Sequence, residues 1–157
     1  AARPVLRVAQ GSVEGDVRRV GRRTRQLLAK AQPQEALRVS TASIFELTAL
    51  CTAGRLQLAR PPEQWIREAL DAAGIRVAGL SPAIAIDAGG IPRAALADPL
   101  DRLLVATARQ IGATFLTSDT RILGYGLATG ALRVHDAGVQ RDKLKAVSRR
   151  RRPSPRA

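Results

Sequence analysis

The sequence predicts an α/β domain with a mainly parallel central sheet. Three observations carry this expectation. Short apolar runs alternate with amphipathic stretches of helical period, those stretches open on Ser, Asp or Pro and close on Gly, and Ala113-Thr-Phe-Leu-Thr117 reads as a short buried strand between Gly112 and Asp119. At 157 residues, 45% of them hydrophobic, the chain is within the usual size of one domain and can bury a core without a disulfide or a structural metal.

Residues 1–16 form an atypical N-terminal segment. Pro4-Val-Leu-Arg-Val8 is a candidate strand that Arg7 interrupts, so it is expected to pair poorly, and Gly11-Ser-Val-Glu-Gly-Asp16 is polar and turn-like. The domain proper is expected over residues 17–139. It opens with a helix over residues 17–31, which sets Val17, Val20, Thr24, Leu27 and Leu28 on one side. Ala36 to Val39 is a short strand. Ser40 then caps a helix whose Ile44, Leu47, Leu50 and Cys51 form an apolar face ending at Gly54. Pro61-Pro62 opens the next helix, carrying Trp65, Ile66, Ala69 and Leu70, and Gly74 stops it. Ile75 to Leu80 is a strand candidate, and Ser81-Pro82 starts a short helix ending at Gly89-Gly90. Asp98-Pro99 is a cap followed by a first-turn proline, opening a helix through Leu103, Leu104, Ala106, Thr107 and Ala108 to Gly112. Ala113 to Thr117 is expected near the middle of the sheet, Asp119 begins a turn before Thr120-Arg121, and Ala131 to Val134 is the last strand. Residues 140–157 contain Arg149-Arg-Arg-Arg-Pro-Ser-Pro-Arg156 and too little apolar surface to pack, which predicts a disordered basic tail.

The formal charge of +13 sits at the ends. Residues 1–30 carry +6 and residues 141–157 carry +7, while the body between them is neutral. Basic ends on a neutral body attract a polyanion or an acidic partner without specifying which. An Arg-rich, Lys-poor composition also accounts for many of the scattered arginines. One His and one Cys, His135 and Cys51, exclude an ordinary His/Cys zinc site and an intrachain disulfide, and any Ser/His/Asp or Cys/His site would have to use His135. A DNA-binding protein is a weaker reading, because no recognition helix, zinc finger or aromatic nucleic-acid signature accompanies the charge. No run reaches membrane-spanning length and the start lacks a secretory pattern, so the default location is cytoplasmic. The chain starts on Ala, as expected after processing or where the natural start lies elsewhere.

The residues that carry chemistry are acids. Parallel sheets place ligands beyond the carboxyl ends of their strands, where Asp119 is expected to follow Ala113 to Thr117. Asp101, in the first turn of the preceding helix, can face the same crevice, and Glu46 lies within two turns of the start of the helix after Val39. Such a set could hold Mg²⁺ or Mn²⁺ through hard oxygen ligands, and an ion bound to a phosphodiester can orient and ionise an attacking water. Each acid also has an ordinary structural reading. Asp98 is better read as a helix cap than as a ligand, Asp101 is a candidate for the reciprocal member of a capping box, Glu46 for an exposed helix face, and Asp119 for a turn residue.

Ser40-Thr-Ala-Ser-Ile-Phe-Glu46-Leu-Thr-Ala, Gly54-Arg-Leu56, Asp98-Pro-Leu-Asp101-Arg-Leu-Leu-Val-Ala-Thr-Ala108 and Ala113-Thr-Phe-Leu-Thr-Ser-Asp119, in that order, resemble the PIN domain of VapC-type toxins over roughly residues 17–137. The resemblance implies a three-layer PIN-like fold and an endoribonuclease that hydrolyses RNA phosphodiesters with Mg²⁺ or Mn²⁺. By the same resemblance Glu46, Asp101 and Asp119 are the catalytic, metal-organising acids, and Asp98 is an accessory acid at the metal. It further implies a VapB-like antitoxin, bound through apolar surface beside the groove, and a homodimer. The departure is at the front: the family begins with an apolar strand ending in Asp, and here Pro4-Val-Leu-Arg-Val-Ala-Gln10 contains no acid. A frameshifted, truncated or mis-started N-terminus and a degenerate toxin both account for this. The alternative to the active ribonuclease is therefore a catalytically impaired PIN-domain protein that retains antitoxin or RNA binding.

Overall fold

Strands β1 (Pro4–Leu6), β2 (Arg38–Ser40), β3 (Arg76–Ala78), β4 (Thr114–Thr117) and β5 (Arg133–Asp136) pair in parallel, in the order β3-β2-β1-β4-β5, in the computed structural model. It describes residues 4–6 and 21–138. Parallel neighbours need crossovers. These are supplied by helices α1 (Arg22–Ala31), α2 (Thr41–Thr52), α3 (Pro62–Ala73), α4 (Pro82–Gly90), α5 (Pro99–Gln110) and α6 (Thr120–Thr129), with a 3-10 turn at Gln32–Gln34 after α1. Helices cover both faces of the sheet. Successive side chains of a strand point to opposite faces, yet Phe115 and Leu116 on β4 are both buried. The expected α/β class with a parallel sheet is the observed one.

The largest correction lies at the N-terminus. The segment expected to pair poorly is the central strand: Val5 lies opposite Arg38 on one side and Phe115 on the other, and Leu6 opposite Val39 and Leu116. The described strand is Pro4–Leu6, with Pro4 at its first position, where a missing N–H is tolerated. β4, expected near the middle, lies beside β1 and one strand in from the edge. The expected turn over Gly11 to Asp16, the first turn of the helix expected from residue 17, and the basic tail over 140–157 lie outside the described residues.

The helix starts obey local chemistry. Ser40 Oγ accepts from the Ala42 N–H at 3.2 Å, Ser81 Oγ from Ile84 N–H at 3.2 Å, and Asp98 Oδ1 from Leu100 N–H at 2.9 Å. Gly74, with φ of 58°, terminates α3 in the left-handed conformation that glycine adopts without penalty. Trp65, Ile66, Ala69 and Leu70 do form the less exposed side of α3, but none is fully buried. His135 on β5 ties down α1, its Nε2 lying 3.0 Å from Thr24 Oγ1, and the Gly21 N–H donates to the Ala137 carbonyl at 3.1 Å.

The main core joins Ala42 of α2, Leu104, Val105 and Ala108 of α5, Phe115 of β4 and Ile122 of α6, with Ile91, Leu96, Ala113 and Leu132 from the connections. α4 adds Ile84 and Ala88 against Ala106. α6 is a helix where the sequence pattern predicts only a turn, because Gly124 and Gly126 weaken its helical signal. Gly126 is there because of packing: a Cβ would stand 2.6 Å from Val134 Cγ1 and 3.2 Å from the Leu132 carbonyl oxygen. Gly126→Ala is expected to lower stability by about 1–3 kcal/mol, outweighing a helix-propensity gain of about 1 kcal/mol. Gly124→Ala, with nothing within 4 Å of the new methyl, should instead raise stability by up to about 1 kcal/mol. Urea-unfolding midpoints of the two variants check the opposite signs.

Candidate active site

The carboxyl end of β4 gathers three acids. Thr117 ends the strand and its Oγ1 accepts from the Asp119 N–H at 3.0 Å, which turns the chain into α6. α5 reaches β4 through Gly112, so it runs against the strand and its first turn, with Asp98 and Asp101, returns to the same end. Arg121 reports the convergence. Its guanidinium is held charged to above its ordinary range, first by its hydrogen bond to Asp119 and by that carboxylate's charge, then by the charge of Asp101 and, less strongly, of Asp98.

The four acids are placed differently. Asp98 caps α5 through Oδ1, as its ordinary reading expected. Asp101, at the third helical position, is 1% exposed. Asp119 is the N-cap of α6: Oδ1 accepts from the Arg121 N–H at 2.8 Å, and the Arg121 side chain reaches back with Nη2 at 3.2 Å from Oδ2 and Nε at 3.4 Å from Oδ1. Glu46 is 8% exposed, so it does not lie on a solvated helix face, while its neighbour Phe45 is 62% exposed. α2 presents Ala42, Ser43, Glu46 and Leu47 inward. The expected face of Ile44, Leu47, Leu50 and Cys51 is therefore rotated toward Ser43 and Glu46, and Ile44, Leu50 and Cys51 are only half-buried.

Among the described residues no three His, Cys, Asp or Glu side chains come together closely enough to hold a divalent ion. Asp98 Oδ1 and both Asp119 oxygens accept hydrogen bonds that position helices or a guanidinium. Chemically, this is an acidic strand-end with a guanidinium of the same chain, that of Arg121, on one of its carboxylates.

Arg121 is the participant that sequence reading missed. The available signal was Asp119-Thr-Arg121 ahead of Ile122 and Tyr125, a cap followed by helical spacing of apolar residues. A second polar group, Asp87 with Arg109 at 3.2 Å, joins α4 to α5 away from these acids, and Arg109 also reaches the Tyr125 hydroxyl at 3.4 Å. Among the described residues no helix is long and apolar enough to cross a membrane.

Comparison with known proteins bears on the family and the fold. The PIN domain family model matches residues 18–126. Over 88 residues the chain is 36% identical to Ribonuclease VapC22 of Mycobacterium tuberculosis, a match covering 56% of this chain and 66% of that protein, just under two thirds of the relative's length. In fold the chain is similar to the crystal structure of DNA-bound VapBC from Salmonella typhimurium, with a TM-score of 0.58 and 18% identity over 87% of this chain and 98% of that one.

Proposed function

Because the chain belongs to the PIN-domain family, we propose that it is a catalytically impaired member that retains binding of a VapB-like antitoxin and of RNA. One observation carries this reading: two of the three acids at the end of β4 are engaged in holding the fold, Asp98 as the cap of α5 and Asp119 as the cap of α6 and partner of Arg121. The relative named a ribonuclease and the VapBC complex support the choice of RNA and an antitoxin as partners. A homodimer is proposed with them, on the family resemblance.

Metal-dependent RNA hydrolysis is the second reading, and a separate observation favours it. Glu46 and Asp101, two of the acids that the resemblance assigns to the metal, are both buried rather than on a solvated helix face. In that reading Glu46, Asp101 and Asp119 are the metal-organising acids for Mg²⁺ or Mn²⁺, with Asp98 accessory.

The two readings separate on labelled single-stranded RNA. The full chain is expected to bind it, with cleavage no faster in Mg²⁺ or Mn²⁺ than in chelator. The segment 141–157, with its charge of +7, should carry much of that affinity. A chain ending at Gln140 is expected to bind RNA more weakly, and the slope of its log affinity against log salt should shrink by about 0.7 for each phosphate that the tail no longer neutralises. Affinity for an antitoxin should be nearly unchanged. Metal-dependent cleavage by the full chain would overturn the proposal, and loss of antitoxin binding on truncation would overturn the division of roles.

A further inference from the structure

We propose that Arg121 is a resident cation that occupies the carboxylate of Asp119 and so competes with divalent ions for this end of the sheet. The inference rests on the impaired-PIN reading and deepens it by giving the impairment a physical agent. The contact is two-pronged, with Nη2 on Oδ2 at 3.2 Å and Nε toward Oδ1 at 3.4 Å. The backbone N–H of the same residue holds Oδ1 at 2.8 Å, so Asp119 accepts from Arg121 through both main chain and side chain. The two side chains are unequally fixed. Asp119 is 19% exposed and anchored as a helix cap, whereas Arg121 is 67% exposed on a long, flexible stem. An ion would have to displace the guanidinium from oxygens it would itself need, while the positive charge repels it from the neighbouring Asp101 and Asp98. Because Arg121 is largely solvated, the barrier to displacement is modest and removing the side chain leaves the core untouched.

Calorimetric titration of the full chain with Mn²⁺ tests this. Arg121→Gln is expected to bind Mn²⁺ about fivefold more tightly than the wild type, the upper range for an exposed ion pair. Arg121→Lys, which keeps the charge, should stay within about twofold of the wild type. The gain should vanish in Arg121→Gln combined with Asp119→Asn, and thermal melts of all variants should coincide within a few degrees. Weak Mn²⁺ binding by the wild type with no gain in Arg121→Gln overturns the role of Arg121 and leaves the impaired-PIN reading standing. Tight Mn²⁺ binding together with RNA cleavage by the wild type overturns both.

Discussion

Arg7→Asp should make the chain bind Mn²⁺ at least about tenfold more tightly and should raise divalent-dependent RNA cleavage by on the order of 100-fold, within the range by which single residues at metal sites change affinity and activity. The reason begins with β1. Leu6 lies opposite Val39 and Leu116 at the centre of the sheet, and the next residue in the chain is Arg7. The resemblance to VapC-type toxins expects an Asp at the end of this strand, and the stretch Pro4 to Gln10 contains none. The substitution removes one positive charge and adds one negative charge at the residue that follows Leu6 in the chain, a net change of two units toward cation binding. Isothermal titration with Mn²⁺ and cleavage of a labelled single-stranded RNA, with and without chelator, measure the two effects. Unchanged metal affinity would show that this position is not the missing corner. Combined with Arg121→Gln, the gain should exceed that of either variant, because each change removes a positive charge from the chain.

Phe115→Ala is expected to cost about 3–5 kcal/mol, a large share of the roughly 5–15 kcal/mol that stabilises a typical domain. Among the described residues Phe115 is the only fully buried aromatic ring: Phe45 is exposed and Trp65 and Tyr125 are half-buried. It sits on β4 between β1 and β5, in a cluster with Leu104, Val105 and Ile122, each with no measurable exposure. Neighbours held by two helices and by a strand paired on both sides cannot collapse into the space left by a ring, so the cavity term adds to the lost transfer free energy. Phe45→Ala provides the contrast, since a side chain 62% exposed should cost no more than about 0.5 kcal/mol. Denaturant titration of both variants measures the difference. Similar losses for the two would mean that the core is not organised around Phe115.

The acids show how far residue patterns reach toward a site. Asp98 was legible as a cap because Asp-Pro before an apolar helical pattern is a signal contained within a few residues. The burial of Asp101 and Glu46 was not, because it depends on which side of each helix meets its neighbours. The inversion at Phe45-Glu46 runs against hydrophobicity and makes sense only once Ala42, Ser43 and Leu47 are seen to face inward with Glu46. Asp119 was placed correctly after a strand, but the guanidinium on its oxygens was set by a helix that glycines had hidden.

The α/β class, the starts of α2, α4 and α5 at Ser40, Ser81 and Asp98, and the buried strand before Asp119 are legible in the residues alone, because capping and periodicity are decided by neighbours a few residues apart. That Pro4–Leu6 lies at the centre of the sheet emerges from the folded chain, because three residues carry almost no pairing signal until β2 and β4 stand on either side. The helix over residues 120–129 likewise emerges from it, since Gly126 lowers local propensity in order to admit Val134 from a strand the chain reaches only afterwards. Strand order, burial and the pairing of a surface arginine with a capping carboxylate are set by partners brought together by folding, and those partners are not written in the local pattern of either residue.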